Sequence, residues 1–255
     1  MSIFDQKVIK YEMKPLSSLE KVFPDETPVY RMECQMLSGL WGETVSFQVA
    51  YTGDFVMRER LDVRVVSELA EHVHVRTVEM VPVGRATNGI VDDNYLKTTS
   101  GLYPDLLKDL KDGKVIVYSR QWRSLWVDVD ITNEIPAGEY EIELQLIKEG
   151  EVVCSAKQKV TVIGTELPKL DIMHTEWMHA DCLADYYHVE VFSEEHWKLL
   201  ENYFQEYVKR DCNMMLTPLF TSPLDTAIGL ERTTCQLIDV EVKDGEYVFG
   251  FEKLK

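Results

Sequence analysis

The chain has 255 residues, of which 45% are hydrophobic, and a net charge of −17 with a pI near 4.8. That length holds one large or two ordinary domains with a sizeable core. The acidity argues against nucleic acid and anionic membrane surfaces as partners.

Five cysteines, Cys34, Cys154, Cys182, Cys212 and Cys235, are odd in number, widely spaced and without a CxxC pair. This fits reduced thiols in a cytoplasmic protein rather than a disulfide framework or a zinc knuckle. The opening residues MSIFDQKVIKYEMK mix charges and lack the apolar core of a signal peptide. No run approaches the roughly 20 apolar residues of a membrane span. A soluble, cytoplasmic protein without a membrane partner is expected.

Residues 1–166 are a succession of strand signals. Val29–Met36, Glu43–Thr52, Leu61–Glu68 and Val73–Val83 are rich in Val, Tyr, Phe and Thr. The runs Leu61–Val65 and Val73–Val81 alternate with period two, as a strand with one wet face does. Lys114–Tyr118, Ser124–Ile131, Gly138–Ile147 and Val152–Ile163 follow, with a hairpin turn expected at Glu149–Gly150. The stretch Asp92–Asp112 reads as a crossing loop with at most one helical turn. Many short strands between turn signals predict an antiparallel β-sandwich. His72 and His74 share a strand face, and without an evident third ligand they read as a wet-face pair rather than a metal pair. Trp126 reads as core packing.

Gly164–Lys169 is a linker, so the domains are expected at 1–166 and 167–255. Beyond it the pattern changes. Leu170–Trp177 reads as a buried strand, and Met178–Phe192 as a long polar and aromatic loop. A helix follows, capped by Ser193 with Glu194 and Glu195 in its first turn. Its apolar stripe is Trp197, Leu200, Phe204 and Val208, taken as core. Met214–Phe220 reads as a second strand, and strand, helix, strand implies parallel pairing with a right-handed crossover. Gln236–Val242 and Tyr247–Phe251 flank an Asp-Gly turn, a hairpin signal. The fold class is therefore α+β and multidomain: a sandwich, then an α/β segment.

In parallel α/β folds the chemistry sits on loops leaving the C-terminal strand ends. Those loops carry His174, Glu176, Trp177, His179, Asp181, Asp185, Thr217, Asp225, Glu231 and Arg232. Glu176, Asp181, Asp185, Asp225 and Glu231 are candidate carboxylates for the pair that glycoside hydrolysis needs, or for holding sugar hydroxyls. Trp177 and Tyr186 can stack on a sugar ring. Arg232 can hold a carboxylate or orient Glu231. His174-x-Glu176-x-x-His179 lacks the spacing of a helical zinc motif, and no Gly-rich phosphate loop is present, so neither a metal nor a cofactor is expected.

The motifs His174-Thr175-Glu176-Trp177, His179-Ala180-Asp181-Cys182-Leu183, Thr217-Pro218-Leu219-Phe220-Thr221, Pro223-Leu224-Asp225-Thr226 and Glu231-Arg232 carry a resemblance. So does the hairpin ending Tyr247-Val248-Phe249-Gly250-Phe251. They resemble a glycoside-hydrolase-like family, defined so far as a domain of unknown function, in which a β-sandwich precedes a glycosidase-like TIM barrel. Trp126–Val129 and Pro136–Tyr140 are similar to a late strand pair of that sandwich. The resemblance implies a TIM-type barrel and a carbohydrate substrate. Its sugar-binding residues would be His174, Glu176, Trp177, His179, Asp181, Asp225, Glu231 and Arg232.

A TIM barrel takes about 250 residues, whereas Pro168 to Lys255 supplies the first βα units. The barrel is thus expected to be incomplete, its catalytic carboxylates unidentified, with self-association through the unfinished sheet. A non-catalytic carbohydrate-binding or scaffold protein is the alternative.

Overall fold

In Gly138–Lys148, Ile142, Leu144 and Leu146 are buried while Glu141, Glu143 and Gln145 face outward. The same alternation in Arg123–Asp130 buries Leu125, Val127 and Val129 and turns Trp126, Asp128 and Asp130 away. A strand points successive side chains to opposite faces, so each of these segments has one face to bury. The computed structural model describes residues 10–28, 36–55, 57–87, 89–91, 95–169, 171–222 and 226–254. They form two compact units, Met1–Pro168 and Lys169–Lys255.

Among the described residues the first unit holds ten strands: β1 Lys10–Ser17, β2 Met36–Trp41, β3 Thr44–Asp54, β4 Glu59–Val66, β5 Val73–Val83, β6 Gly101–Asp109, β7 Lys114–Val117, β8 Arg123–Asp130, β9 Gly138–Lys148 and β10 Glu151–Glu166. One sheet runs β1-β3-β8-β5-β6 and the other β2-β10-β9-β4-β7. Their inner faces share one core. Phe47, Val49, Leu125 and Val127 come from the first sheet, and Leu61, Val115, Leu144 and Val160 from the second. Burying each such side chain stabilises by about 1.5–3 kcal/mol before conformational entropy is counted.

The outer face of the first sheet is covered in part by residues 18–24. Val22 packs there with Leu16, Ala50 and Trp122. Buried Gln48 donates to the carbonyls of Ser17, Ser18 and Glu20, and Ser124 Oγ donates to its amide oxygen at 2.9 Å.

The sandwich departs from the sequence reading in three places. It is not wholly antiparallel, because β2 pairs with β10 in parallel, Met36 opposite Lys159. The stretch Asp92–Asp112 contains β6, which pairs antiparallel with β5 despite Pro104 and Asp105, with a register shift between Val78 and Met80. Trp126 lies on the outward face, half-buried, and its Nε1 donates to Asp128 Oδ1 at 2.7 Å. Strand parity governs here: Leu125, Val127 and Val129 take the inner positions. Most of Val29–Met36 lies outside the described residues. The hairpin at Glu149–Gly150 forms, with φ of 52° at Glu149 and 88° at Gly150, the latter a value that glycine meets without strain.

The second unit contains α1 Ala180–Tyr187, α2 Glu194–Lys209, and the hairpin β11 Asp239–Lys243 with β12 Glu246–Gly250. Ser193 Oγ accepts from His196 N at 3.2 Å, as an N-cap should. The hairpin turns at Asp244 and Gly245, both with positive φ. Ala180, Leu183, Leu200 and Cys235 form its small core, with Phe192 and Phe204 packed against them. His196 is fully buried. Its Nδ1 accepts from Phe192 N and its Nε2 donates to the Ala180 carbonyl, each at 2.9 Å.

Here too the sequence expectations need correcting. The loop 178–192 contains α1, closed by His188 in the left-handed region. Neither Leu170–Trp177 nor Met214–Phe220 forms a regular strand among the described residues. They do approach each other: Asn213 N and Met214 N both donate to the His174 carbonyl, at 3.0 and 3.2 Å. Two local features break the ladder. The Asn213 side chain takes the neighbour's place, accepting from His174 N and donating to the Ile172 carbonyl. Pro218 has no N–H, and Leu219 N turns back to the Thr217 carbonyl at 2.8 Å. On α2, His196 and Leu200 are the buried residues, while Trp197 is 44% and Val208 69% exposed. The stripe read as core is therefore partly a solvent-facing apolar strip. No helix of the described residues is long and apolar enough to cross a membrane.

Candidate functional site

Helix α1 aims its polar side chains at the segment 231–235. Arg232 clamps Asp181 from two nitrogens, Nε to Oδ2 at 2.5 Å and Nη2 to Oδ1 at 3.0 Å. Both side chains are nearly buried, 12% and 8% exposed. Asp181 stands in the first turn of α1, where the positive end of the helix also favours its charge. One turn further on, Asp185 Oδ1 accepts from Thr233 Oγ1 at 2.7 Å. Arg232 Nη2 lies 3.6 Å from Cys182 Sγ. Thr221 Oγ1 accepts from Cys235 N at 3.0 Å and donates to Gln236 Oε1 at 3.1 Å. Two loops and a helix are thus fastened around Asp181.

Beside this fastening lies a cavity of about 300 Å³. Trp177, His179 and Asp181 line it from the α1 side, Phe192, Trp197 and Phe204 from the α2 side, and Thr217, Phe220 and Ser222 from the second loop. Phe192 stacks on Trp197 with ring centres 5.4 Å apart. Cys235 is also in the wall, and burial pushes its thiol up to about 11. Asp181 and Asp185 push the same way, against Arg232. The wall is thus chiefly aromatic and aliphatic with a few polar groups, the usual make-up of a small-molecule site.

Three of the residues expected at the site, Trp177, His179 and Asp181, meet in this cavity. Trp177 is 66% exposed, an open aromatic face at the rim. Arg232 reaches the cavity through Asp181. His174 and Glu176 form a pair of their own, Nε2 to Oε1 at 3.3 Å, outside the lining. Cys212 Sγ stands 3.9 Å from both ring nitrogens of His174. Glu231 is exposed and also outside the lining. Asp225 lies outside the described residues. Among the described residues no group of three or more His, Cys, Asp or Glu is arranged to hold a metal ion.

Phe192, Trp197, Ser222 and Cys235 belong to the lining and were not singled out as site residues from the sequence. Trp197 carried a signal that was misread: an aromatic at the start of the helix stripe. Among the described residues Asp181 is the one carboxylate in the lining, and Arg232 pairs with it. The arrangement can therefore stack, exclude water and hydrogen-bond. Among the described residues the two opposed carboxyl groups of glycoside hydrolysis are not gathered around it.

Residues 177–255 match the model of the glycoside hydrolase 123 catalytic domain. Among solved structures, a family 123 glycoside hydrolase from Clostridium perfringens, studied for glycolipid glycan hydrolysis, superposes with a TM-score of 0.67 at 13% identity. The match covers 96% of this chain and 44% of that one, so the chain spans less than half of that enzyme's length. A β-glucosidase from Listeria innocua aligns over 63% of this chain and 17% of its own, at 10% identity and a TM-score of 0.29. No curated protein sequence matches. The chain thus has the fold of the corresponding part of the Clostridium enzyme, and its C-terminal third is glycoside-hydrolase-like in sequence.

Proposed function

We propose that this chain serves a carbohydrate-active hydrolase, with 1–166 as a β-sandwich domain and 167–255 as the opening βα portion of a glycosidase-like barrel. The observation that carries this reading is the match of 177–255 to a glycoside hydrolase catalytic domain. The substrate class is a glycan, the kind of molecule on which the structurally similar enzyme acts. Within the site, Trp177 offers a ring face for stacking on the apolar side of a sugar, and His179 supplies a polar contact. Asp181 and Arg232 position these groups, each taken up by the two hydrogen bonds between them. Outside the lining, Glu176, 65% exposed and paired with His174, offers a further carboxylate to a sugar hydroxyl. His174 orients it.

A net charge of −17 supports a partner list without nucleic acid. The free cysteines Cys154, Cys182, Cys212 and Cys235 fit the cytoplasm. The apolar strip of α2 is the surface through which the chain would self-associate.

The test is a panel of aryl glycosides assayed with the protein and with Trp177→Ala and Glu176→Gln. The reading expects turnover of at least one glycoside and a raised KM in Trp177→Ala. Unchanged kinetics in both variants would remove the site. The second reading, a non-catalytic carbohydrate-binding or scaffold protein, draws on the neutralised Asp181 and the apolar wall. It expects glycan binding lost in Trp177→Ala with no turnover at all.

A further inference from the structure

Away from the cavity discussed so far, the sandwich has a second cavity of about 530 Å³, between β4 and β7 on one side and β5 and β6 on the other. Its lining is unlike the rest of this acidic chain. Six cations face it, Arg58, Arg60, Lys108, Lys111, Lys114 and Arg123, against three carboxylates.

Two of the cations are already occupied. Arg60 pairs with Asp112 at 2.9 Å and Lys114 with Asp62 at 3.2 Å. For Arg58, Lys108, Lys111 and Arg123, no carboxylate among the described residues lies within ion-pair distance. Arg123 is the best held of them. Its guanidinium stands over the Tyr118 ring, 5.0 Å from the centre, and Nη2 donates to Gln121 Oε1 at 3.1 Å. Its Nε is buried without a hydrogen-bond partner. Buried N–H groups are nearly always satisfied, so this one has capacity for a ligand. The buried Tyr51 hydroxyl is close enough to feel the Arg123 charge, and its own contact to the Ile116 carbonyl is long, 3.5 Å.

We propose that this cavity is an anion-binding site. Arg123 recognises the oxyanion through the planar guanidinium, and Arg58, Lys108 and Lys111 supply charge around it. The ligand class is a small oxyanion: a sulfate, a phosphate or the carboxylate of a uronic acid. Long-range attraction does not assist capture, because the whole chain is strongly negative. Recognition is therefore local, and Arg suits it because its planar fork matches an oxyanion bidentately. Two origins share this chemistry: a free inorganic ion and an acidic group carried on a sugar.

The experiment is an NMR titration of backbone amides at low ionic strength with inorganic sulfate, inorganic phosphate, glucuronate and uncharged glucose. The expected result is saturable shifts confined to β4 to β7 and to Arg123, for the anions and not for glucose. Arg123→Gln should weaken binding about tenfold, the loss of a charge-assisted contact. Lys108→Ala/Lys111→Ala touches only exposed side chains and leaves the fold intact. It should also weaken binding and flatten its dependence on salt. Glucuronate binding more tightly than sulfate and phosphate assigns the site to an acidic saccharide, and the reverse order assigns it to a free ion. Absence of saturable shifts, or affinities unchanged in both variants, overturns the proposal. None of these outcomes depends on the hydrolase reading, which concerns the other unit.

Discussion

Arg232 holds Asp181 by two near-parallel hydrogen bonds across 51 positions of sequence, and both side chains are all but hidden from water. A paired buried charge is tolerable, whereas one left alone is costly. Arg232→Met should therefore destabilise by about 3–5 kcal/mol, and Asp181→Asn in the same background should recover much of that. Chemical denaturation of the two single variants and the double gives the coupling energy. A sum of single effects equal to the double would remove the pair as the fastening of the loops.

Cys235 makes stability fall in alkali. Its folded-state thiol titrates near 11, above the ordinary value of 9.0. The folded protein keeps a proton that the unfolded chain loses, so the contribution is fully present below pH 9 and disappears as pH rises toward 11. Urea midpoints at pH 8 and pH 10.5 should differ less in Cys235→Ala than in the parent. At pH 8, thiol labelling should reach exposed Cys182 well before buried Cys235.

At the acid end, Glu59 matters. Burial pushes its carboxyl up, but hydrogen bonds from Tyr11 and Lys148 outweigh this and lower it below the ordinary range. A depressed carboxylate stabilises above its unfolded value of about 4.5 and stops doing so as pH drops through the folded one. The stability gap between the parent and Glu59→Gln should therefore close on going from pH 6 to pH 3, as read by thermal melts.

Ser193→Ala removes the side-chain acceptor of the His196 amide at the start of α2. The expected cost is about 1 kcal/mol, with Ser193→Asp close to neutral. Helix content in the native state should hardly change, so the readout is the denaturation midpoint.

The strip on α2, where Trp197 and Val208 are exposed, should drive association. Sedimentation velocity should show a species that grows with concentration and is lost in Val208→Glu. A monomer at all concentrations in the parent would count against that surface.

What was readable in the sequence was what local rules govern. Ser193 with Glu194 and Glu195 marked the start of α2, and Glu149–Gly150 and Asp244–Gly245 marked their hairpins, because caps and tight turns depend on nearest neighbours. Alternation located most of the sandwich strands. The misses had other causes. Helix α1 buries a carboxylate, Asp181, so its inner face did not look apolar. Strand β6 contains Pro104 and Asp105, tolerable at a sheet edge. Met214–Phe220 was apolar enough for a strand, yet Pro218 and the side chain of Asn213 supplied other partners for its neighbours. Of the site, Trp177, His179 and Asp181 were legible as polar and aromatic residues following an apolar run. Cys235 was not, since it arrives from a distant segment, and Trp197 sits on a helix stripe whose apolar spacing reads equally as core.

The parallel pairing of β2 with β10 sets a timetable for synthesis. Met36 waits for Lys159 to leave the ribosome before its sheet neighbour exists. At about 5–20 residues per second that is a delay of roughly ten seconds. Until then β2 has an open edge, so the sheet β2-β10-β9-β4-β7 closes late, and the interval is when a holding chaperone would find its client.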